Sequence, residues 1–213
     1  MSTPPHEALS SLVMALALEP HPEGGHYRRW HTSPVMTGDL AACGRGYPPG
    51  ASRPASTSIF YLLPSGGRCK LHRIRGDELW LHQRGGPLVV VELIGATLRR
   101  TVVGPDAAAG HVLTHTVAGG TLFGAYCPRG GPGYALVSCV VSPGFSFEDW
   151  EMPLATDIVG VGGDDGGGDS GDGGGGSGGA AAQASDSNVV NAVAWLAEGG
   201  ARQGHEDPPE GWL

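Results

Sequence analysis

Gly66–Gly85 reads G-G-R-C-K-L-H-R-I-R-G-D-E-L-W-L-H-Q-R-G, and the alternation inside it decides the fold. A period of two places Lys70, His72 and Ile74 on one face of the first half. In the second half it places Glu78, Trp80 and His82 on one face, with Leu79 and Leu81 on the other. A leucine face packs, which leaves Glu78, Trp80 and His82 to line water or a cavity. Arg75-Gly76-Asp77 between the halves suits a tight turn, because glycine reaches positive φ and aspartate bonds nearby backbone. The expectation is two paired strands carrying His72 and Glu78.

Outward from this stretch, short runs of strand character recur between Gly and Pro punctuation. Ser56–Leu63 alternates Ile59, Tyr61 and Leu63 against Phe60 and Leu62. Pro87–Ile94 is a nearly continuous β-branched run, as expected of a strand buried on both faces. Thr97–Val103, His111–Val117, Thr121–Cys127 and Tyr134–Val141 follow. Strands this short and this regularly spaced predict an all-β sandwich or barrel. Thr37 to Pro54, rich in Gly, Pro and Ala, reads as a long loop.

Helical patterns flank the strands. Pro4 to Ala17 has Thr3 as a cap, proline in the first turn, and Leu9, Leu12, Val13 and Leu16 at helical spacing. Asp186 to Glu198 repeats the pattern, with Asp186 or Ser187 as cap and Val189, Val193 and Leu196 as one stripe beside Trp195. Between the barrel and this second helix lies Gly160 to Gly179, a block with almost no apolar side chain to offset the entropy of ordering it. Three units are expected: residues 1–153 folded, 154–185 a disordered Gly/Asp-rich linker, and 186–213 a helix and tail.

The chain has 213 residues, 38 of them glycine, and a formal net charge of -8. Asp164, Asp165, Asp169 and Asp172 place much of that charge in the linker, and no basic stripe argues for nucleic acid. Cys43, Cys69, Cys127 and Cys139 show no CxxC or zinc-finger spacing, which predicts reduced, mostly buried thiols. No stretch approaches the roughly 20 apolar residues of a spanning helix. A cytoplasmic protein without membrane or nucleic-acid partners is the expectation.

The spacing of Gly66, His72, Glu78 and Gly85 resembles the first signature of the cupin superfamily, in which the position of Ile74 is a second histidine. The order of H-P-E-G-G (His21–Gly25), S-T-S-I-F-Y-L-L (Ser56–Leu63), H-R-I-R-G-D-E-L-W (His72–Trp80) and S-P-G-F-S-F-E-D-W (Ser142–Trp150) resembles one subfamily more closely, the cupin-5 or DUF985 group. The resemblance implies a double-stranded β-helix, the cupin jelly-roll barrel, and a homodimer.

A metal-binding cupin holds its ion with three histidines and a glutamate. By that resemblance His72 and Glu78 match, while Ile74 and Phe123 stand where histidines are expected, so no cofactor is the first expectation. If a divalent metal is bound, His82 and His115 are the substitutes that would join His72 and Glu78. Without a metal, His72 and Glu78 are the candidate acid–base pair, because a histidine beside a partly desolvated carboxylate titrates near neutral pH. Glu23, Tyr27, Tyr61, Lys70, Trp80, His82, His115 and Phe123 are the candidate substrate-binding residues. His21, His26 and His31, five apart, share neither a strand face nor a helix face and are assigned independent roles. Three functions stay open: a metal-independent isomerase or epimerase of a sugar-type carbonyl compound, a metal-dependent oxygenase or decarboxylase, and a ligand-binding or storage protein.

Overall fold

The computed structural model describes residues 5–154, 158 and 186–197. After helix α1 (Pro5–Ala15), the described residues form eleven strands in two antiparallel sheets. The first has the order β1 (Glu19–Pro20), β2 (His26–Thr32), β3 (Thr57–Pro64), β10 (Tyr134–Ser142), β5 (Asp77–Gly85), β8 (Thr114–Val117). The second runs β11 (Trp150–Glu151), β4 (Arg68–Ile74), β9 (Leu122–Tyr126), β6 (Leu88–Ile94), β7 (Thr97–Val103). The inward faces of both sheets make one core from Tyr61, Leu63, Trp80, Leu88, Val90, Phe123, Val137 and their neighbours.

Two strand expectations are corrected. Arg75-Gly76 does turn the chain between β4 and β5, but the two strands are not paired: β4 lies against β9 and β11, and β5 against β10 and β8. The turn crosses from one sheet to the other, so His72 and Glu78 line the interior from different sheets. The alternation on β4 is also broken, because a register shift between Cys69 and His72 inserts a bulge. Cys69, His72 and Ile74 therefore share the inner face, and Leu71 packs on the outer one. Gly124 on β9 makes room: a side chain there would stand 2.8 Å from the Cys69 carbonyl.

The outer faces are covered by the helices. Leu9, Leu12, Val13 and Leu16 of α1 pack with Leu18 on Leu62, Tyr134 and Leu136. Helix α2 (Asp186–Ala197) lays Ala192, Val193 and Leu196 on Leu71, Val89, Val91 and Tyr126, which explains why β6 is apolar on both faces. Val193 and Leu196 each contribute about 1.5–3 kcal/mol when fully buried. Arg68 anchors the helix further, its guanidinium donating to the Trp195 carbonyl at 2.6 Å and stacking over the Trp195 ring. The caps expected at Thr3 and at Asp186 or Ser187, the linker over 160–179 and the tail beyond 197 lie outside the described residues and side chains.

Candidate functional site

A cavity of about 360 Å³ lies between the two sheets. Its polar lining comes from separate elements: His21 and Glu23 from the β1–β2 turn, Tyr61 from β3, Cys69 and His72 from β4, Glu78 from β5 and Cys139 from β10. Ile59, Ile74, Trp80, Val141 and Phe145 supply apolar walls, and the exposed Arg28, Arg29 and Phe147 form the rim.

Glu23 is placed by the glycine pair that follows it. Gly24 and Gly25 both hold positive φ, and a side chain on Gly25 would stand 2.6 Å from the Leu62 carbonyl. The Tyr61 hydroxyl donates to the Gly24 carbonyl at 2.7 Å, and the Lys70 amide donates to the Glu23 carbonyl at 2.8 Å. The turn is thereby tied to both sheets. Its carboxylate accepts from Trp150 Nε1 at 2.6 Å and from Cys69 Sγ at 3.2 Å. His21 Nδ1 and His72 Nδ1 stand 3.6 and 3.5 Å from Glu23 Oε2.

The bulge on β4 also orients His72. Its Nδ1 is 2.8 Å from the Lys70 carbonyl. A carbonyl only accepts, so Nδ1 carries the proton and, in the neutral ring, Nε2 keeps its lone pair. Phe123 packs on the imidazole with ring centroids 4.1 Å apart. Opposite, the Glu78 carboxyl is buried and pushed up to about 7: desolvation raises it, with Glu23 adding, while His72 and the Cys139 thiol hydrogen bond pull the other way. Burial also pushes the Cys69 and Cys139 thiols up, as does the negative charge of their carboxylate neighbours, and it raises the Tyr61 hydroxyl. Desolvation lowers His21, against the attraction of Glu23. The Trp80 indole N–H is buried with no acceptor among the described residues, a cost of about 1–3 kcal/mol.

Glu23, Cys69 and His72 gather donor atoms within 4.8 Å of one another, compact enough to hold a metal ion. As they stand, these donors bond one another and their neighbours, and an ion would have to displace those bonds. The Cys69 thiol donates to one Glu23 oxygen, the other takes the Trp150 N–H, and His72 Nδ1 is bound to the Lys70 carbonyl. Ile74 lines the cavity and Phe123 covers His72, so neither position of a missing histidine offers a donor.

Of the residues singled out in the sequence, His72, Glu78, Glu23, Tyr27, Tyr61 and Trp80 line the cavity together. Lys70, His82, His115 and Phe123 do not. The bulge turns Lys70 away and puts Cys69 in its place. Phe123 backs His72 from the core. His82 Nε2 bonds the Gly86 carbonyl at 3.1 Å, and His115 Nε2 bonds the buried Glu92 at 2.8 Å, where Arg99 also pairs. Neither histidine is placed to complete a metal set with His72 and Glu78. The sequence reading missed His21, Cys69, Cys139 and Trp150. His21 was within reach, since it opens the same H-P-E-G-G run as Glu23. The other three depend on pairings distant in sequence.

A closed two-sheet jelly roll with a polar, partly enclosed interior defines a small-molecule-pocket barrel of the cupin type. The chain belongs to the cupin superfamily (DUF985), whose family model matches residues 10–153. It is similar to a hypothetical protein from Leishmania major, with 30% identity and a TM-score of 0.64 over 71% of this chain and 90% of that one. A protein from Shewanella oneidensis is similar to the same degree, with 30% identity and a TM-score of 0.61 over 71% and 87% of the two chains. No curated protein matches the chain.

Proposed function

We propose that the cavity binds a small carbonyl metabolite of the sugar type and that Glu78 and His72 move a proton on the carbon beside its carbonyl, the chemistry of a metal-independent isomerase or epimerase. The observation that carries this reading is Glu78: a buried carboxyl raised to about 7 faces a cavity across from a histidine whose Nε2 keeps its lone pair. A carboxyl poised near neutral pH gives a proton as acid and takes one back as carboxylate with little mismatch in either direction. The bond broken is the substrate C–H: the His72 Nε2 lone pair takes its proton, the C–H electron pair moves into the enediol, and the protonated Glu78 carboxyl gives its proton to the carbonyl oxygen, the reverse transfers completing the turnover. The flat walls of Tyr61 and Trp80 suit the apolar face of a sugar.

Solvent exchange tests this without knowledge of the product. The protein is incubated in D2O with a panel of aldoses, ketoses and their derivatives, with and without chelator, and deuterium at the carbon beside the carbonyl is read by NMR. Exchange that survives the chelator and disappears in Glu78→Gln is expected. The donors of Glu23, Cys69 and His72 favour a second reading, a metal-dependent oxygenase or decarboxylase, which predicts chemistry that the chelator abolishes. Binding without exchange would instead make the barrel a ligand-binding protein.

A further inference from the structure

Several arginines away from the cavity are committed to acidic partners. Arg45, Arg53, Arg73, Arg75 and Arg99 each pair with a carboxylate. Arg28 and Arg29, both on β2 and both lining the cavity, have no carboxylate partner among the described residues. Arg29 is held by other means: its guanidinium lies over the Phe145 ring, 5.7 Å from the centroid, and Phe145 is itself fixed by its amide donating to Thr57 Oγ1 at 2.9 Å. Stacking on an aromatic face orients the plane and leaves the N–H fork directed outward for a ligand. Glu19, the acidic neighbour on the rim, is turned toward the Tyr27 hydroxyl, which burial first and then the Glu19 carboxylate push up. The cavity thus carries its carboxyls inside and an uncommitted cation, Arg29, at its mouth, with Arg28 next to it on the opposite face of β2.

We infer that Arg29 binds an anionic end group of the ligand, with Arg28 beside it adding positive charge at the rim, so that the substrate class is a small carbonyl compound with a terminal phosphate or carboxylate. This rests on the cavity being the ligand site, though not on the proton transfer. The volume of about 360 Å³ suits one sugar unit, near the lower end of the roughly 300–1,000 Å³ of ligand pockets. With the anionic group at the rim, the uncharged carbonyl end enters between Glu78 and His72, where a second anion would be repelled by Glu23 and Glu78. Bidentate bonding by a planar guanidinium to phosphate or carboxylate oxygens gives orientation as well as affinity.

Binding is measured by calorimetry and ligand-detected NMR with inorganic phosphate, fructose, fructose 6-phosphate and glucuronate as probes. They are compared across the wild type, Arg29→Gln, the Arg28→Gln/Arg29→Gln pair, Glu78→Gln, and Arg84→Gln as a distant unpaired-arginine control. The proposal expects at least one anionic probe to bind, to weaken with salt, and to lose about ten- to a hundredfold in affinity with Arg29→Gln but not with Arg84→Gln. A preference for fructose 6-phosphate over glucuronate assigns the phosphate, and the reverse assigns the carboxylate. Anion binding that persists in Glu78→Gln while exchange is lost keeps both readings; anion binding with no exchange in any variant keeps this one and removes the acid–base role. No anionic probe bound at tens of millimolar, or equal affinity in the wild type and the double variant, overturns the proposal.

Discussion

His72 and Glu78 sit near each other in sequence yet face the same cavity from opposite sheets. The Arg75-Gly76 link makes this arrangement by crossing the barrel edge, and it brings a histidine with a fixed tautomer opposite a buried carboxyl. The Gly76 position has no room for a side chain, which would stand 2.6 Å from the Pro143 carbonyl. Each half of the pair is therefore set by backbone: His72 by the Lys70 carbonyl, Glu78 by the register of β5 against β10.

The pH dependence of stability follows from Glu78. Its folded value of about 7 lies above the ordinary value of 4.5, so the folded state holds this proton more tightly than the unfolded chain does. The contribution to stability is present below 4.5, declines as pH rises through 4.5 to 7, and is lost above that window. The full difference is on the order of 3 kcal/mol. Thermal unfolding across pH 4.5–8 should therefore show a steeper loss of stability with rising pH in the wild type than in Glu78→Gln. Parallel curves for the two proteins would contradict the assignment.

Gly25→Ala should be severe for a surface turn. The residue has φ of 70°, and its new methyl would press on the Leu62 carbonyl and the Leu63 side chain. A loss of about 2 kcal/mol or more is expected from the strain and the displaced β-strand contact. Because Glu23 is carried by the same turn, ligand binding should fall along with the melting temperature. The control is Gly95→Ala, whose methyl would meet nothing within 4 Å and which strains only the local backbone.

Thiol labelling should separate the cysteines sharply. Cys43 is exposed, whereas Cys69, Cys127 and Cys139 are buried, with burial pushing Cys127 up to about 12 and the other two well above their usual range. A disulfide reagent at pH 8 should find one fast thiol in the native protein and all four after denaturation. A second fast thiol that maps to Cys69 would show that the hydrogen bond to Glu23 does not hold it protonated.

Helix α2 covers an apolar patch edged by Arg68, so its removal should be costly. Leu196 is fully buried, and Leu196→Ala should cost about 2–5 kcal/mol of docking energy. Hydrogen exchange is the suitable readout: protection of 186–197 and of the outward-facing side of β6 should fall together, with the inner strands β3 and β10 retained. Loss of protection throughout the barrel would mean that the helix is part of its cooperative core.

The strands and their faces were legible because alternation over Glu78–His82 and the apolar run of β6 follow directly from the period of a pleated sheet. Their pairing was not legible. A tight turn at Gly76 reads the same whether it joins neighbours in one sheet or crosses between two, and only the tertiary packing decides. The bulge on β4 was hidden for a similar reason: it requires Gly124, an element away, to admit the Cys69 backbone. That single insertion exchanged Lys70 for Cys69 in the cavity. His115 looked available as a ligand because its true partner, Glu92, lies on a strand of the other sheet. The Glu23 site combined a legible part, the Gly24-Gly25 turn, with Trp150, whose indole reaches it from the far end of the barrel chain.

The titration of Glu78 itself is the most direct test of the acid–base account. Protein labelled with 13C at the glutamate side-chain carboxyl can be followed by NMR from pH 4 to 9, with Glu78→Gln assigning the resonance. A midpoint near 7 is expected, moving upward in His72→Ala as the imidazole that favours the carboxylate is removed. A midpoint near 4.5, the ordinary value, would contradict the account, because such a carboxyl would be ionised throughout the neutral range and could not serve as acid and base in turn.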